Sequence, residues 1–125
     1  MTGSTNPEKF SDKLSCPDSP NCVSTEADPG DEEHYLPPLA YTSEEAIMAR
    51  LTALLSEAPR TRIITQTEDY LHAEVRSRIF RFVDDVEVYL DRANKLVRFR
   101  SAARTGHADF GVNRKRMKDL SEKLR

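Results

Sequence analysis

The chain has 125 residues and a mass of 14.2 kDa, room for one hydrophobic core and no second domain of comparable size. Its apolar fraction of 38% and mean hydropathy of -0.65 are low but still globular, and no apolar run approaches the ~20 residues of a membrane helix. A net charge of -2 and a pI of about 5.9 speak against nucleic-acid binding, but residues 1–91 carry 8 Lys/Arg against 18 Asp/Glu while residues 92–125 carry 11 against 3.

That asymmetry has two readings. Either the basic end meets an anionic partner, or it pairs with the acidic part of the same molecule. The N-terminus, MTGSTNPEKFSDKLS, lacks the basic start and apolar core of a secretory leader. The cytoplasm is therefore the default compartment, unless a leader or anchor has been trimmed.

Residues 1–40 hold six of the seven prolines and show no sustained period of 2 or 3.6, which predicts an irregular arm. Within it, Cys16-Pro-Asp-Ser-Pro-Asn-Cys22 places turn-forming residues between two thiols. These bring the thiols close enough for a disulfide, although the five-residue gap is wider than paired zinc ligands use. Reduced structural thiols, a Cys16–Cys22 disulfide and redox or metal chemistry all remain open. A reducing cytosol disfavours the disulfide.

The regular domain spans residues 41–125. Thr42 as N-cap and Glu45 three residues later form a capping box, followed by Ile47, Leu51, Leu54 and Ala58 at helical spacing until Pro59 stops the helix. The segment TRIITQ (61–66) is strand-like. From Tyr70 to Ile79, Leu71, Ala73, Val75 and Ile79 alternate with Tyr70, His72, Glu74, Arg76 and Arg78. A third strand runs from about Phe82 to Leu90 and a fourth begins at about Lys95. With Asp91-Arg92-Ala93-Asn94 as the loop, Val88 faces Val97, Val86 faces Phe99, Phe82 faces Ala103, Glu87 faces Arg98 and Asp85 faces Arg100.

Asp84 breaks the pattern. Its parity puts it on the apolar face, opposite Ser101, where an ionised carboxylate is costly unless bonded or paired. Ser101, backbone amides or an arginine such as Arg104 are candidate partners, and a site carboxylate is the other reading. The loop Arg104-Thr105-Gly106-His107-Ala108-Asp109 leads to a last helix, with Asp109 as expected N-cap and Met117, Leu120 and Leu124 on its packing face. Asn113, Arg114, Lys115 and Arg116 crowd its first turns. An anion site uses such residues, and so does a helix packed against acidic neighbours.

The ordered motifs CPDSPNCVS, YLHAEVRS, FRFVDDVEVYLD and RFRSAARTGHADFGVNRKR resemble the bacterial and plastid family called domain of unknown function 1499, from about Cys16 to the C-terminus. The family implies no activity, substrate or cofactor. Positions matching its pattern include Cys16, Pro17, Ser19, Pro20, Asn21, Cys22, Asp84, Asp85, Glu87, Arg100, Ser101, Arg104, Gly106, Asp109, Gly111, Asn113, Arg114 and Arg116. Ala103 stands where the family pattern has a serine, and His107-Ala108 replaces a Tyr-Ser-like pair, which disfavours a serine nucleophile.

No G-x-S-x-G, P-loop, H-E-x-x-H or dinucleotide fingerprint occurs, so no cofactor is expected. The expected architecture is α+β: a four-stranded antiparallel meander with one helix before and one after it on the same face, plus the irregular arm. The expected function is a non-enzymatic binding or accessory domain contacting a small anionic ligand or a protein partner. Its contact residues are Asp84, Arg100, Ser101, Arg104, His107, Asp109, Asn113, Arg114 and Arg116. The alternative is a hydrolase-like or metal-dependent enzyme using Asp84, His107 and Asp109.

Overall fold

A computed structural model describes residues 7–78, 82–105 and 111–125. Helix α1 covers Pro7–Lys13, followed by short strands β1 (Cys22–Ser24) and β2 (Leu39–Ala40). Helix α2 (Glu44–Glu57) precedes strands β3 (Thr61–Gln66), β4 (Tyr70–Arg76), β5 (Val83–Asp91) and β6 (Leu96–Ala103), and helix α3 (Val112–Leu124) ends the chain. The fold is α+β with one antiparallel sheet, in the order β1-β6-β5-β4-β3, and β2 also pairs with β6.

The meander β3-β4-β5-β6 is as expected, but the sheet is larger than four strands. The arm is not wholly irregular: it supplies α1 and lays β1 and β2 along β6, which covers that edge of the meander. Strands of three and two residues carry too little periodicity to be recognised from their own sequence.

α2 starts one residue later than its sequence suggests. Ser43, rather than Thr42, is the N-cap, and its side chain accepts from the Ala46 amide at 3.1 Å. Glu44 and Glu45 then occupy the first turn, where carboxylates suit the helix dipole. Ile47, Met48, Leu51 and Leu55 turn inward onto the sheet, beside Met117 and Leu120 of α3. The other half of this core comes from Leu71, Ala73, Val86, Val88, Leu90, Val97 and Phe99.

The β5–β6 hairpin keeps the expected faces but pairs two residues away from the expected register. Val86 lies opposite Ser101, Glu87 opposite Arg100, Val88 opposite Phe99 and Asp84 opposite Ala103. The cause sits at the turn. Asp91 belongs to β5 and pairs with Leu96, so the loop is residues 92–95. Its buried carboxylate accepts from the Asn94 amide at 3.3 Å, from Asn94 Nδ2 at 2.9 Å and from Arg98 Nε at 2.8 Å. Lys95 takes the left-handed conformation that closes the loop, with φ 54. A two-residue shift preserves which side chains face the core, and only the cross-strand partners change.

Candidate functional site

Alternation on the central strands sorts their charged residues to the two sides of the sheet. On the side away from α2 and α3, Arg104 bonds Asp85 through Nε and Nη2 and reaches Glu74 at 2.7 Å. His72 Nε2 lies 2.8 Å from Asp85 Oδ1. Arg100 pairs with Glu87 and donates to the Ser15 carbonyl at 2.8 Å. The Tyr70 hydroxyl donates to Glu87 at 2.9 Å. Burial pushes the Asp85 carboxyl up, but hydrogen bonds from Arg104 and His72 outweigh it and hold the pKa below its ordinary value. Burial, then the bond to Glu87, raises that of Tyr70.

Part of this outer face is covered by α1. Phe10 meets Tyr89 edge-on with ring centroids 5.9 Å apart, and the Arg98 guanidinium sits 5.3 Å above the Phe10 ring. Arg98 does not pair with Glu87. It bonds Glu26 at 3.0 Å and Asp91 at 2.8 Å instead.

On the inner side, Asp84 is buried beneath α3. Its carboxylate accepts from Arg116 Nη2 at 2.9 Å. Arg116 Nη1 donates to Asn113 Oδ1 at 2.7 Å and to Ser101 Oγ at 3.1 Å. The Ser101 hydroxyl donates to Asn113 Oδ1 at 2.6 Å, and Asn113 Nδ2 donates to the Asn21 carbonyl at 3.3 Å. Asn21 Nδ2 in turn donates to the Thr105 carbonyl. The wrong-face aspartate thus has a partner. It is an arginine, as one of the expected alternatives has it, but Arg116, one helical turn into α3, rather than Arg104.

The seven described members of the expected contact set therefore do not converge. Asp84, Ser101, Asn113 and Arg116 form one inner network. Arg100 and Arg104 lie across the sheet from it, and Arg114 turns to the arm, donating to the Tyr35 carbonyl at 2.8 Å. His107 and Asp109 lie outside the described residues, as does the expected N-cap role of Asp109. The N-cap position of α3 is Gly111, whose φ of 79 suits a residue without a Cβ.

Beside the inner network the surface opens into a groove of about 260 Å³ between α2, α3 and the start of β3. Its floor is apolar, with Leu54, Ala58, Pro59, Val75 and Leu120, and Arg116 and Lys123 stand at its polar rim. No carboxylate pairs with Lys123 among the described residues, whereas Asp119 at the same rim is held by Lys115 at 3.1 Å. None of the groove's floor residues was expected as a contact residue. Leu54 and Leu120 read simply as helix-face apolar positions, and only the packing of two helices leaves part of that face open.

Cys16 and Cys22 form a disulfide. It anchors the arm at two points: Cys22 pairs with Ala102 in the sheet, and Asn21 joins the inner network. His34 clamps the same loop, with Nε2 2.6 Å from the Ser19 carbonyl and Nδ1 2.7 Å from Asp31 Oδ2. Among the described residues, no group of three or more His, Cys, Asp and Glu is placed to hold a metal ion. No helix there is long and apolar enough to cross a membrane.

Comparison with known families is decisive over almost the same span as this architecture. The family model for the protein of unknown function DUF1499 matches residues 14–124. The chain belongs to the DUF1499 family. No curated protein matches it. In this DUF1499 chain the matched span includes the disulfide, the whole sheet, α2 and α3, and omits α1.

Proposed function

We propose that the protein is a non-enzymatic binding domain whose ligand is a small anion with an apolar body, held in the groove beside Arg116. The observation that carries this reading is the composition of the groove. Its aliphatic floor meets a guanidinium whose far end is already fixed by Asp84 at 2.9 Å. Arg116 is thereby pre-positioned, so a carboxylate arriving at its accessible side meets a donor that loses little freedom on binding. The groove's volume of about 260 Å³ is just below the ~300–1,000 Å³ of sites for drug-sized ligands, so its occupant is small.

This narrows the contact region expected from residues 100–116 to one residue of it. Arg100 and Arg104 pair with Glu87, Glu74 and Asp85 on the other side of the sheet, away from the apolar groove that Arg116 borders. The engagement of Asp84 with Arg116 likewise favours binding over catalysis, since a general base needs a carboxylate free to take a proton. The same reading assigns the domain to an oxidising compartment, where the Cys16–Cys22 disulfide persists.

Titration of ¹⁵N-labelled protein with octanoate tests the proposal. Amides of Leu54, Val75, Arg116 and Leu120 are expected to shift together and to saturate. Ala58→Phe, which fills the groove, is expected to abolish the response without unfolding the protein. Unmoved groove amides in the parent, or shifts that persist in Ala58→Phe, would sink the groove reading.

A further inference from the structure

We infer that a second concavity, at the outer end of β3 and β4, is a phosphate-binding site. It encloses about 500 Å³ and is lined by Arg60, Arg62, Arg76 and Arg78 with Thr61, Glu74 and Ser77. Four arginines and a single carboxylate therefore line one concavity.

That carboxylate is already shared. Glu74 lies 3.5 Å from Arg76 and 2.7 Å from Arg104, which approaches from β6. Arg60 is held by a hydrogen bond from its Nε to the Arg76 carbonyl at 3.1 Å, which satisfies a donor but not the charge. Neither Arg62 nor Arg78 has a carboxylate partner among the described residues. This contrasts with the arginines in and around the β5–β6 hairpin, Arg92, Arg98, Arg100 and Arg104, each of which is paired. Like charges gathered without counter-charge repel one another, and an arriving anion relieves that repulsion.

The pairing of β3 with β4 gathers them. Arg62 lies directly opposite Glu74, and the Arg76 amide donates to the Arg60 carbonyl at 3.0 Å, so both strands bring arginines to the same end of the sheet. Arg60 is one of two non-glycine residues with a left-handed backbone among those described, at φ 54. A side chain adopts that conformation only where its surroundings enforce it, and here it turns Arg60 back over the end of β4.

Planar guanidinium forks match the oxygens of phosphate and bond them in pairs, which lysine ammonium groups cannot do. The composition here is arginine only. A phosphate with two negative charges suits the excess better than a single carboxylate. The site is independent of the apolar groove, since its ligand needs no apolar body. Arg60 borders both, however, so a phosphate joined to an acyl chain is one form the ligand can take and a soluble oligophosphate is the other.

Inorganic pyrophosphate is the direct probe, with Nε resonances of the arginines and amides of residues 60–62 and 74–78 as the readout. Saturable shifts confined to this end of the sheet are expected. A loss of at least tenfold in affinity is expected in Arg62→Gln/Arg78→Gln, whose exposed side chains leave folding intact. Cosedimentation with vesicles containing phosphatidic acid, against phosphatidylcholine alone, separates the two sources: arginine-dependent vesicle binding assigns the phosphate to a lipid, and pyrophosphate binding alone assigns it to a soluble ligand. Binding of neither probe overturns the inference. So does pyrophosphate binding that the double variant leaves unchanged, or shifts spread equally over Lys115, Lys118 and Lys123. Because pyrophosphate cannot fill the apolar groove, these outcomes are separate from the octanoate result.

Discussion

Replacing Asp84 by alanine isolates the interaction around which the inner network is built. The carboxylate lies on the core side of β5 with 12% of its side chain exposed, and the Arg116 side chain it neutralises is 20% exposed. Removing one partner of a fully buried ion pair costs about 3–5 kcal/mol, because the remaining charge is left unpaired. Two features reduce that figure here. Arg116 keeps its bonds to Ser101 and Asn113, and its accessible side still reaches water through the groove. A loss of about 2–3 kcal/mol is expected, a large share of the ~5–15 kcal/mol available to a domain. Asp84→Asn, which retains an acceptor oxygen but not the charge, is expected to lose about 1 kcal/mol. Combining Asp84→Ala with Arg116→Met removes the stranded guanidinium, so the double variant is expected to be no less stable than Asp84→Ala alone. Urea unfolding followed by circular dichroism, with an unchanged m-value, measures each of these. Stability of Asp84→Ala within about 0.5 kcal/mol of the parent, or strictly additive losses in the cycle, would refute the reasoning.

Reducing the Cys16–Cys22 bridge, whose residues are 6 apart, is expected to cost about 2 kcal/mol from loop closure in the unfolded chain. It is also expected to shift the Asn113 and Ser101 side-chain and amide signals through Asn21, and signals that stay put would show that the loop and the network are uncoupled. His34 is held between Asp31 and Ser19. Burial lowers its pKa, but the bonds to Ser19 and Asp31 outweigh that and raise it above the ordinary 6.5. Its contribution is therefore fully present below about pH 6.5 and fades as pH rises through the folded value. The stability gap between the parent and His34→Gln should narrow from pH 6 to pH 8, and a gap that widens would reverse the assigned sign. Leu51→Ala, at a fully buried position of α2, is expected to lose about 2–5 kcal/mol in the same urea assay.

The division between what the sequence discloses and what it conceals follows the range of the interactions. Alternation assigns the faces of β4, β5 and β6 correctly, because a period of 2 is local to each strand. Register is set by the turn, and Asp91 reads as a loop residue until its bonds to Asn94 and Arg98 are seen. Asp84 stands out on parity alone, whereas its partner depends on how α3 crosses the sheet. The closeness of Cys16 and Cys22 is readable from the turn residues between them, but their oxidation state is not. The Arg100, Arg104 and Arg116 cluster looks like one site along the chain, and it separates because the sheet runs between its members. Arg60, Arg62, Arg76 and Arg78 show the converse: scattered over two segments, they are gathered by the β3–β4 pairing.

A crystal structure of the protein soaked with octanoate tests the binding account most directly. The account predicts a carboxylate within hydrogen-bonding distance of Arg116 and an alkyl chain lying over Leu54, Val75 and Leu120. An empty groove at saturating octanoate, or a ligand seated instead on Arg100 and Arg104 across the sheet, would contradict it.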